Sequence, residues 1–229
     1  MTSVKKLKKE IMKNPHVVFL VIIVAVALVF GGYLLAPSSG TDSSSSTNTV
    51  QAKPSLVADP ALINDADAPR VGSSDAKEQI VVFSDFLCPY CQQAHSVLND
   101  LLSNYPDDVS VVYRNYIVHE DSQILAQAAE AANMQGKYKE FADELFSGTS
   151  SSIDTSSDTG VVEIAQKIGL DVDKFKNDLN SDQVKSRIDK DNSDATGMNL
   201  GGTPSVFLND TAVGNYNNLP AQVKDQLGR

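Results

Sequence analysis

The feature that most constrains this chain is a pair of cysteines, Cys88 and Cys91, between a short apolar run and an amphipathic stretch. The run Ile80–Phe83 is β-branched and bounded by polar residues, which favours a strand covered on both faces. From Pro89 onward, apolar residues recur at spacings of three and four, which predicts an amphipathic helix. A second strand is predicted at Val109–Tyr113. A strand, a helix and a second strand in this order indicate an α/β domain with parallel pairing.

Between residues 121 and 194 the strand signal is absent, and segments of helical composition and period follow one another. We interpret residues 121–194 as a helical insertion that caps a small sheet domain. Two short strands, Ser205–Leu208 and Thr211–Gly214, are predicted to form a hairpin, followed by a helix over residues 219–227. The sheet domain then consists of residues 71–118 and 195–229. The predicted helices of the insertion are Gln123–Met134, Lys137–Phe146, Val161–Ile168, Val172–Leu179 and Gln183–Asp191.

The amino terminus predicts a membrane anchor. Residues 1–16 are basic, and the 20 residues of 17–36 carry no charge, so as a helix they span about 30 Å, the thickness of a bilayer core. Lysines on the amino-terminal side favour a cytoplasmic amino terminus, and Pro37 fits poorly after a signal-peptidase cut. Residues 37–70, rich in Ser and Thr, are predicted to be a flexible linker. The domain at 71–229 is then expected outside the cytoplasm, at the cell surface or in the periplasm.

The charge distribution excludes one class of partner. The net charge is −10, and residues 1–36 carry five lysines and one glutamate, so the remainder carries −14. Nucleic-acid affinity comes from lysines and arginines that neutralise phosphates, and no basic stripe follows residue 36. We therefore expect no nucleic-acid partner.

The spacing of the two thiols favours a reversible disulfide at the first turn of a helix. The free N–H groups and the positive end of the helix dipole stabilise a thiolate there, and Pro89 suits a position whose N–H has no helical partner. Cys91 shares an apolar stripe with His95 and is predicted to turn inward, whereas Cys88 caps the helix and can face solvent. This predicts Cys88 as the attacked sulfur and Cys91 as the resolving one.

Two other uses of the cysteines fit the sequence less well than a redox-active pair. A structural disulfide closing a four-residue loop would contribute only about 2 kcal/mol in the loop-entropy account. A zinc site built from Cys88, Cys91 and His95 lacks a fourth ligand, and Gln92 after Cys91 excludes a c-type haem. The pair is therefore predicted to be redox-active, with no metal and no bound cofactor.

Three segments resemble one family: FSDFLCPYCQQAH (83–95), the helical stretch at 126–146, and GGTPSVFLND (201–210). From Val71 to the carboxyl terminus, the chain is similar to the membrane-anchored, DsbA-like branch of the thioredoxin superfamily. The resemblance implies a thioredoxin fold with an inserted all-helical domain and a cis bond before Pro204. It also implies that the backbone of Thr203 pairs with an extended substrate segment, and that a quinone-coupled membrane partner reoxidises the cysteines.

The remaining candidate residues surround the cysteines. Pro89 and Tyr90 are predicted to set the reduction potential. Thioredoxins commonly place a buried carboxylate six residues before the first cysteine, where this chain has Val82. Asp85 is either its substitute or a turn residue, and His95 either tunes the disulfide or is a core histidine.

The sequence thus predicts an extracytoplasmic, monomeric oxidase, held at the membrane by its amino-terminal helix. It would donate the Cys88–Cys91 disulfide to unfolded or reduced secreted proteins. Two alternatives stay open. One is a disulfide reductase or isomerase fed by a membrane electron donor, and the other is a metallochaperone or binding module on the same fold.

Overall fold

A computed structural model describes residues 58–147 and 157–229, and in them a five-stranded sheet has the order β1-β3-β2-β4-β5. Strands β2 and β3 pair in parallel, and the other neighbours are antiparallel. This confirms the parallel strand–helix–strand unit predicted around the cysteines. The strands are β1 (Arg70–Gly72), β2 (Glu78–Ser84), β3 (Val109–Asn115), β4 (Ser205–Leu208) and β5 (Thr211–Val213).

Eight α-helices accompany the sheet in the described residues, and five of them, α3 to α7, lie between β3 and β4. The α/β fold with a helical insertion is confirmed. The last helix of the insertion extends beyond its predicted end. Its carboxyl-terminal half is polar and has no apolar period, so the sequence pattern did not reveal it. The helices are α1 (Pro60–Ile63), α2 (Pro89–Asn104), α3 (Gln123–Asn133), α4 (Tyr138–Phe146), α5 (Asp158–Lys167), α6 (Val172–Leu179), α7 (Asp182–Gly197) and α8 (Leu219–Gln226).

The central strand β2 is apolar throughout its middle because both of its faces are covered. Ile80 and Val82 belong to a core that includes α2 and α8, whereas Val81 and Phe83 belong to a second core with α1 and α7. Successive side chains of a strand point to opposite faces, so a doubly covered strand is a continuous apolar run. The cysteine turn therefore starts from a strand that is packed on both faces.

The carboxyl-terminal part of the predicted linker belongs to the folded domain, which corrects the boundary at residue 70. Ala58, Ile63 and Ala68 are buried against the second core, and β1 pairs with β3. Helix α1 has four residues and β1 has three, too few for either to show an apolar period. Their stability comes from packing on the sheet, which the local sequence does not encode.

A buried charge cluster fastens the end of β3 to α1 and α7. The Arg114 side chain is fully buried, forms ion pairs with Asp191 and Asp194, and donates from Nη1 to the carbonyl oxygen of Leu62 at 2.9 Å. A buried charge needs such partners because its transfer from water is costly. The cluster holds the strand that precedes the loop beside the cysteines.

The predicted membrane anchor, residues 17–36, lies outside the described residues, as does the Ser-rich stretch at 38–49. Among the helices that the structure describes, none is long and apolar enough to cross a membrane. The anchor stays a prediction from the sequence.

Candidate active site

The two cysteines occupy the turn between β2 and α2. Cys88 is the residue that precedes α2, with extended backbone angles (φ −80°, ψ 119°), and Pro89 is the first helical residue. The backbone N–H groups of Cys91 and Gln92 donate to the carbonyl oxygen of Cys88 at 3.0 and 3.2 Å. Proline fits this position because its fixed φ suits the first turn and its missing N–H leaves no helical bond unmade.

Cys88 is nearly buried, with 6% of its surface exposed, and its Sγ lies 3.3 Å from the carbonyl oxygen of Thr203. Burial opposes ionisation of this thiol. The Thr203 side chain and the backbone N–H groups of Cys91 and Tyr90 favour the thiolate and outweigh burial, so the pKa of Cys88 is lowered below its ordinary value. The sequence predicted a sulfur that can face solvent, and the structure places it instead under the loop of Thr203.

Cys91 is 1% exposed and lies on the inner face of α2, as the apolar stripe predicted. Burial raises the pKa of the Cys91 thiol to about 11, although the backbone N–H of Asp85, 3.5 Å from its Sγ, favours the thiolate. Both cysteines are free thiols in the structure. Both thiols are buried, but their pKa values are shifted in opposite directions, and Cys88 is the more acidic of the two.

Thr203 and Pro204 lie beside the cysteine turn, in the loop that leads into β4. The bond between them is cis, as the family resemblance implied. Through its carbonyl contact with Cys88, Thr203 brings the amino-terminal end of β4 next to the outer sulfur. The structure thus brings together Cys88, Cys91, Thr203 and Pro204, which are far apart in the sequence.

Asp85 is fully buried, and its carboxylate is engaged by four hydrogen-bond donors. Oδ1 accepts from the Leu87 N–H at 2.8 Å, and Oδ2 accepts from the N–H groups of Val118 and His119 and the hydroxyl of Ser122, all within 3.0 Å. Of the two roles left open by the sequence, this geometry is that of a turn residue. The carboxylate ties the cysteine turn to the loop after β3, and only the backbone N–H of Asp85 touches Cys91.

His95 lies one helical turn after Cys91 and is 6% exposed. Its Nε2 is 2.7 Å from Oδ1 of Asp143 on α4, and its ring packs on Phe146, with 4.8 Å between ring centroids. Phe146 also packs against both cysteines. Neither Asp143 nor Phe146 was recognisable from the sequence, because the insertion that carries them follows His95 by about fifty residues.

The surface around the cysteine turn is apolar. Leu87, Tyr90 and Val118 are the large hydrophobic side chains that are exposed in the described residues, with 41%, 62% and 45% of their surfaces accessible. Leu87 and Tyr90 flank Cys88 in the chain, and the backbone of Val118 is held at the same turn by Asp85. Apolar side chains gathered at one place on a surface are typical of an interaction site.

Comparison with known proteins assigns the chain to a family. The sequence model of the thioredoxin family matches residues 64–226. Among solved structures, a thioredoxin-like oxidoreductase from Silicibacter pomeroyi DSS-3 is 31% identical, with a TM-score of 0.63 over 74% of this chain and 98% of its own. BdbD from Bacillus subtilis in its oxidised form has the same fold, with 21% identity and a TM-score of 0.62 over 76% of this chain and 98% of its own.

The curated relatives are longer proteins. The Na(+)/H(+) antiporter NhaA 1 of Mycolicibacterium vanbaalenii is 32% identical over 143 residues, which are 60% of this chain and 22% of the antiporter. The chain thus spans about a fifth of the length of the curated relatives it matches. The match concerns one segment of those proteins and does not carry their transport activity to this chain.

Proposed function

The chain belongs to the thioredoxin family, and we propose that it is a DsbA-like thiol-disulfide oxidase that donates the Cys88–Cys91 disulfide to secreted proteins. The observation that carries this proposal is the difference in acidity between the two sulfurs. The pKa of Cys88 is lowered, which stabilises the reduced form as a thiolate. A stabilised reduced form makes the corresponding disulfide a stronger oxidant.

The exchange proceeds through a mixed disulfide. A client thiolate attacks Sγ of Cys88, the Cys88–Cys91 bond breaks, and Cys91 leaves with the electron pair. A second client thiolate then attacks the client sulfur, which forms the client disulfide and releases Cys88 as a thiolate. The client loses two electrons and the cysteine pair gains them. A quinone-coupled membrane partner is proposed to take those electrons and restore the disulfide.

The proposed client is an extended, unfolded segment that contains a thiol and apolar side chains. Its backbone would pair with Thr203 as an added strand, which brings its sulfur to Cys88. Its apolar side chains would contact Leu87, Tyr90 and Val118, which are exposed around the turn. An apolar surface favours the binding of unfolded chains, because folded proteins bury most of their apolar side chains.

The proposed location is outside the cytoplasm, with the domain held at the membrane by residues 17–36. Disulfide donation requires a compartment in which disulfides persist, and the cytosol keeps thiols reduced. The basic residues before the anchor favour a cytoplasmic amino terminus. A tether would raise the effective concentration of the domain near a membrane-embedded oxidant.

The direction of electron flow is tested by the equilibrium of the Cys88–Cys91 pair in glutathione buffers. The full chain, purified in mild detergent, is alkylated after equilibration, and the mass shift counts its thiols, since the chain has no tryptophan for a fluorescence readout. A potential more oxidising than the glutathione couple supports the oxidase. A potential near that of thioredoxin would point to a reductase with an electron donor across the membrane.

The Cys91→Ser variant separates redox function from metal carriage. It is expected to trap mixed disulfides with client proteins through Cys88, whereas Cys88→Ser, the matched control, is expected to trap none. Stoichiometric copper or zinc on the wild-type chain, together with no trapped clients, would favour the metallochaperone instead.

A further inference from the structure

The exchange reaction requires Cys91 to gain and lose a proton inside the domain. Cys91 is 1% exposed, so its sulfur has little direct access to bulk water. The buried carboxylate that thioredoxins commonly place nearby is replaced by Val82. The Asp85 carboxylate is occupied by four donors from the turn and the loop after β3. The group that exchanges this proton is therefore to be sought among the other titratable side chains near Cys91.

His95 is the titratable side chain that shares the buried face of α2 with Cys91. Residues four apart on a helix have Cβ atoms about 5–6 Å apart. Helical side chains lean toward the amino terminus, so the His95 ring covers the turn that holds Cys91. The imidazole and the Cys91 sulfur therefore share one buried face of α2, one helical turn apart, and Phe146 packs against both of them.

The contacts of His95 fix its tautomer. The ring Nε2 is 2.7 Å from Oδ1 of Asp143, and a carboxylate oxygen can only accept there, so Nε2 carries a proton. The amide nitrogen of Asn99, 3.1 Å from Nε2, donates to the same Oδ1 at 2.9 Å and not to the ring. The ring Nδ1 is buried and has no hydrogen-bond partner within the described residues. Nδ1, the ring nitrogen nearer the helix backbone, is therefore the free basic atom. This arrangement of a thiol, an imidazole and an orienting carboxylate matches the general pattern of assisted sulfur chemistry.

None of the groups that face His95 from neighbouring elements changes its protonation state near neutral pH. From α4, Asp143 contacts His95 and also forms an ion pair with Lys139, with Nζ and Oδ2 2.6 Å apart. Burial opposes ionisation of Asp143, but hydrogen bonds from His95 and Lys139 hold its pKa well below the usual range. From β3, the ring of Tyr113 lies 6.2 Å away, and burial raises its pKa, so it stays neutral. On α2 itself, Asn99 does not titrate.

We propose that His95 exchanges the proton of Cys91 during thiol-disulfide exchange and that Asp143 is the positioning residue that orients it. When Cys91 leaves from the Cys88–Cys91 disulfide, protonated His95 gives a proton to the departing sulfur. In the reverse step, neutral His95 takes the proton from Cys91, whose sulfur then bonds to Cys88 and releases the client sulfur as a thiolate. Imidazole suits both directions because it ordinarily titrates near neutral pH.

The reverse step can be isolated with glutathione disulfide as the probe. Reduced full chain reacts with the probe to give a glutathione adduct on Cys88, and Cys91 then displaces the glutathione. Acid quenching and mass spectrometry follow the loss of the adduct between pH 5 and pH 9. The test variant is His95→Gln, whose amide nitrogen can keep the bond to Asp143 while the basic atom is removed. The matched control is His16→Gln, at the histidine of the basic amino-terminal segment, because the ring of His119 is 3.2 Å from the Asp85 carboxylate of the cysteine turn.

In the wild type, we expect the rate to level off where histidine titrates. In His95→Gln, adduct loss at pH 7 is expected to be about ten to a hundred times slower, with a rate that keeps rising about tenfold per pH unit. Asp143→Asn is expected to give a smaller decrease with a rate that still levels off, because the basic atom of the ring remains and only the carboxylate that orients it is lost. His16→Gln is expected to match the wild type.

The inference rests on the proposed roles of the two cysteines, and Cys91→Ser separates the two failures. If Cys91→Ser loses the adduct as fast as the wild type, the assigned roles of the cysteines are wrong. If Cys91→Ser retains the adduct but His95→Gln loses it at the wild-type rate and pH profile, only the role of His95 is wrong. Should His95→Gln fail to fold, a wild-type rate that rises through pH 9 without levelling off would equally overturn it.

Discussion

Substituting Glu130 by glutamine should stabilise the domain in a manner that depends on pH. Glu130 is 3% exposed on α3, and its Oε1 accepts from Nδ2 of Asn115 at 2.8 Å. Burial, reinforced by the neighbouring charge of Asp191, raises the pKa of Glu130 from 4.5 to about 8. The folded domain therefore holds a proton on Glu130 at neutral pH that the unfolded chain has released.

The raised pKa of Glu130 makes the free energy of unfolding depend on pH. Because the folded state binds the extra proton, the stability contributed by this group falls as pH rises from the unfolded value of 4.5 to about 8. At about 1.4 kcal/mol per pH unit, the loss reaches about 3 kcal/mol at pH 7 and levels off at about 5 kcal/mol above pH 8. Glutamine cannot ionise and can still accept from Asn115, so Glu130→Gln is expected to avoid this loss.

The measurement is urea unfolding of wild type and Glu130→Gln at pH 5, 6, 7, 8 and 9. The stability of the variant relative to wild type should rise by about 1.4 kcal/mol per pH unit from pH 5 to pH 8 and then become constant. Taking the difference cancels the titration of the other groups. The same substitution at the exposed Glu163 serves as the control and should give a constant difference. A constant difference for Glu130→Gln as well, or a variant that is less stable at pH 8, would refute the reasoning.

Three further predictions follow from the structure. Arg114→Met should destabilise the domain by about 3 kcal/mol in urea unfolding, because two buried aspartates each lose one of their two cationic partners, and a change below 1 kcal/mol would contradict this. Asp85→Asn should speed amide hydrogen exchange at Val118, whose N–H then loses a carboxylate acceptor, and unchanged protection would show that the loop is held otherwise. Iodoacetamide at pH 7 should label Cys88 before Cys91, because only the former has a lowered pKa, and peptide mass spectrometry showing equal labelling would be inconsistent with the site.

Elements with a strong local pattern were predictable from the sequence. The run at 80–83, the helix that starts at Pro89 and the hairpin at 205–213 were all placed close to their observed bounds. Each carries its own signal, since the period of apolar residues reports which faces are covered. The short elements α1 and β1 were missed, because their positions depend on packing against the sheet.

The identity of the cysteine pair was likewise readable from the chain, because the chemistry of two thiols at a helix start depends on neighbouring residues. The partners of the nearby polar groups were not readable. His95 was recognised, but its contact with Asp143 joins residues 48 positions apart. Asp85 was left with two roles, and the choice came from donors more than thirty residues away, at Val118, His119 and Ser122.

The sequence alone determined the α/β class, the helical insertion and the reactive turn, because these follow from local periodicity and from the spacing of two thiols. The tertiary structure alone set the surroundings that raise the pKa of Cys91 and lower that of Cys88, through burial and through Thr203, which lies 115 residues after Cys88. It also decided that the insertion contributes Phe146 to the surroundings of the cysteines and Asp143 as the partner of His95. A pKa depends on every dipole, charge and water excluded within a few ångströms of the group, and only the folded chain brings those groups together.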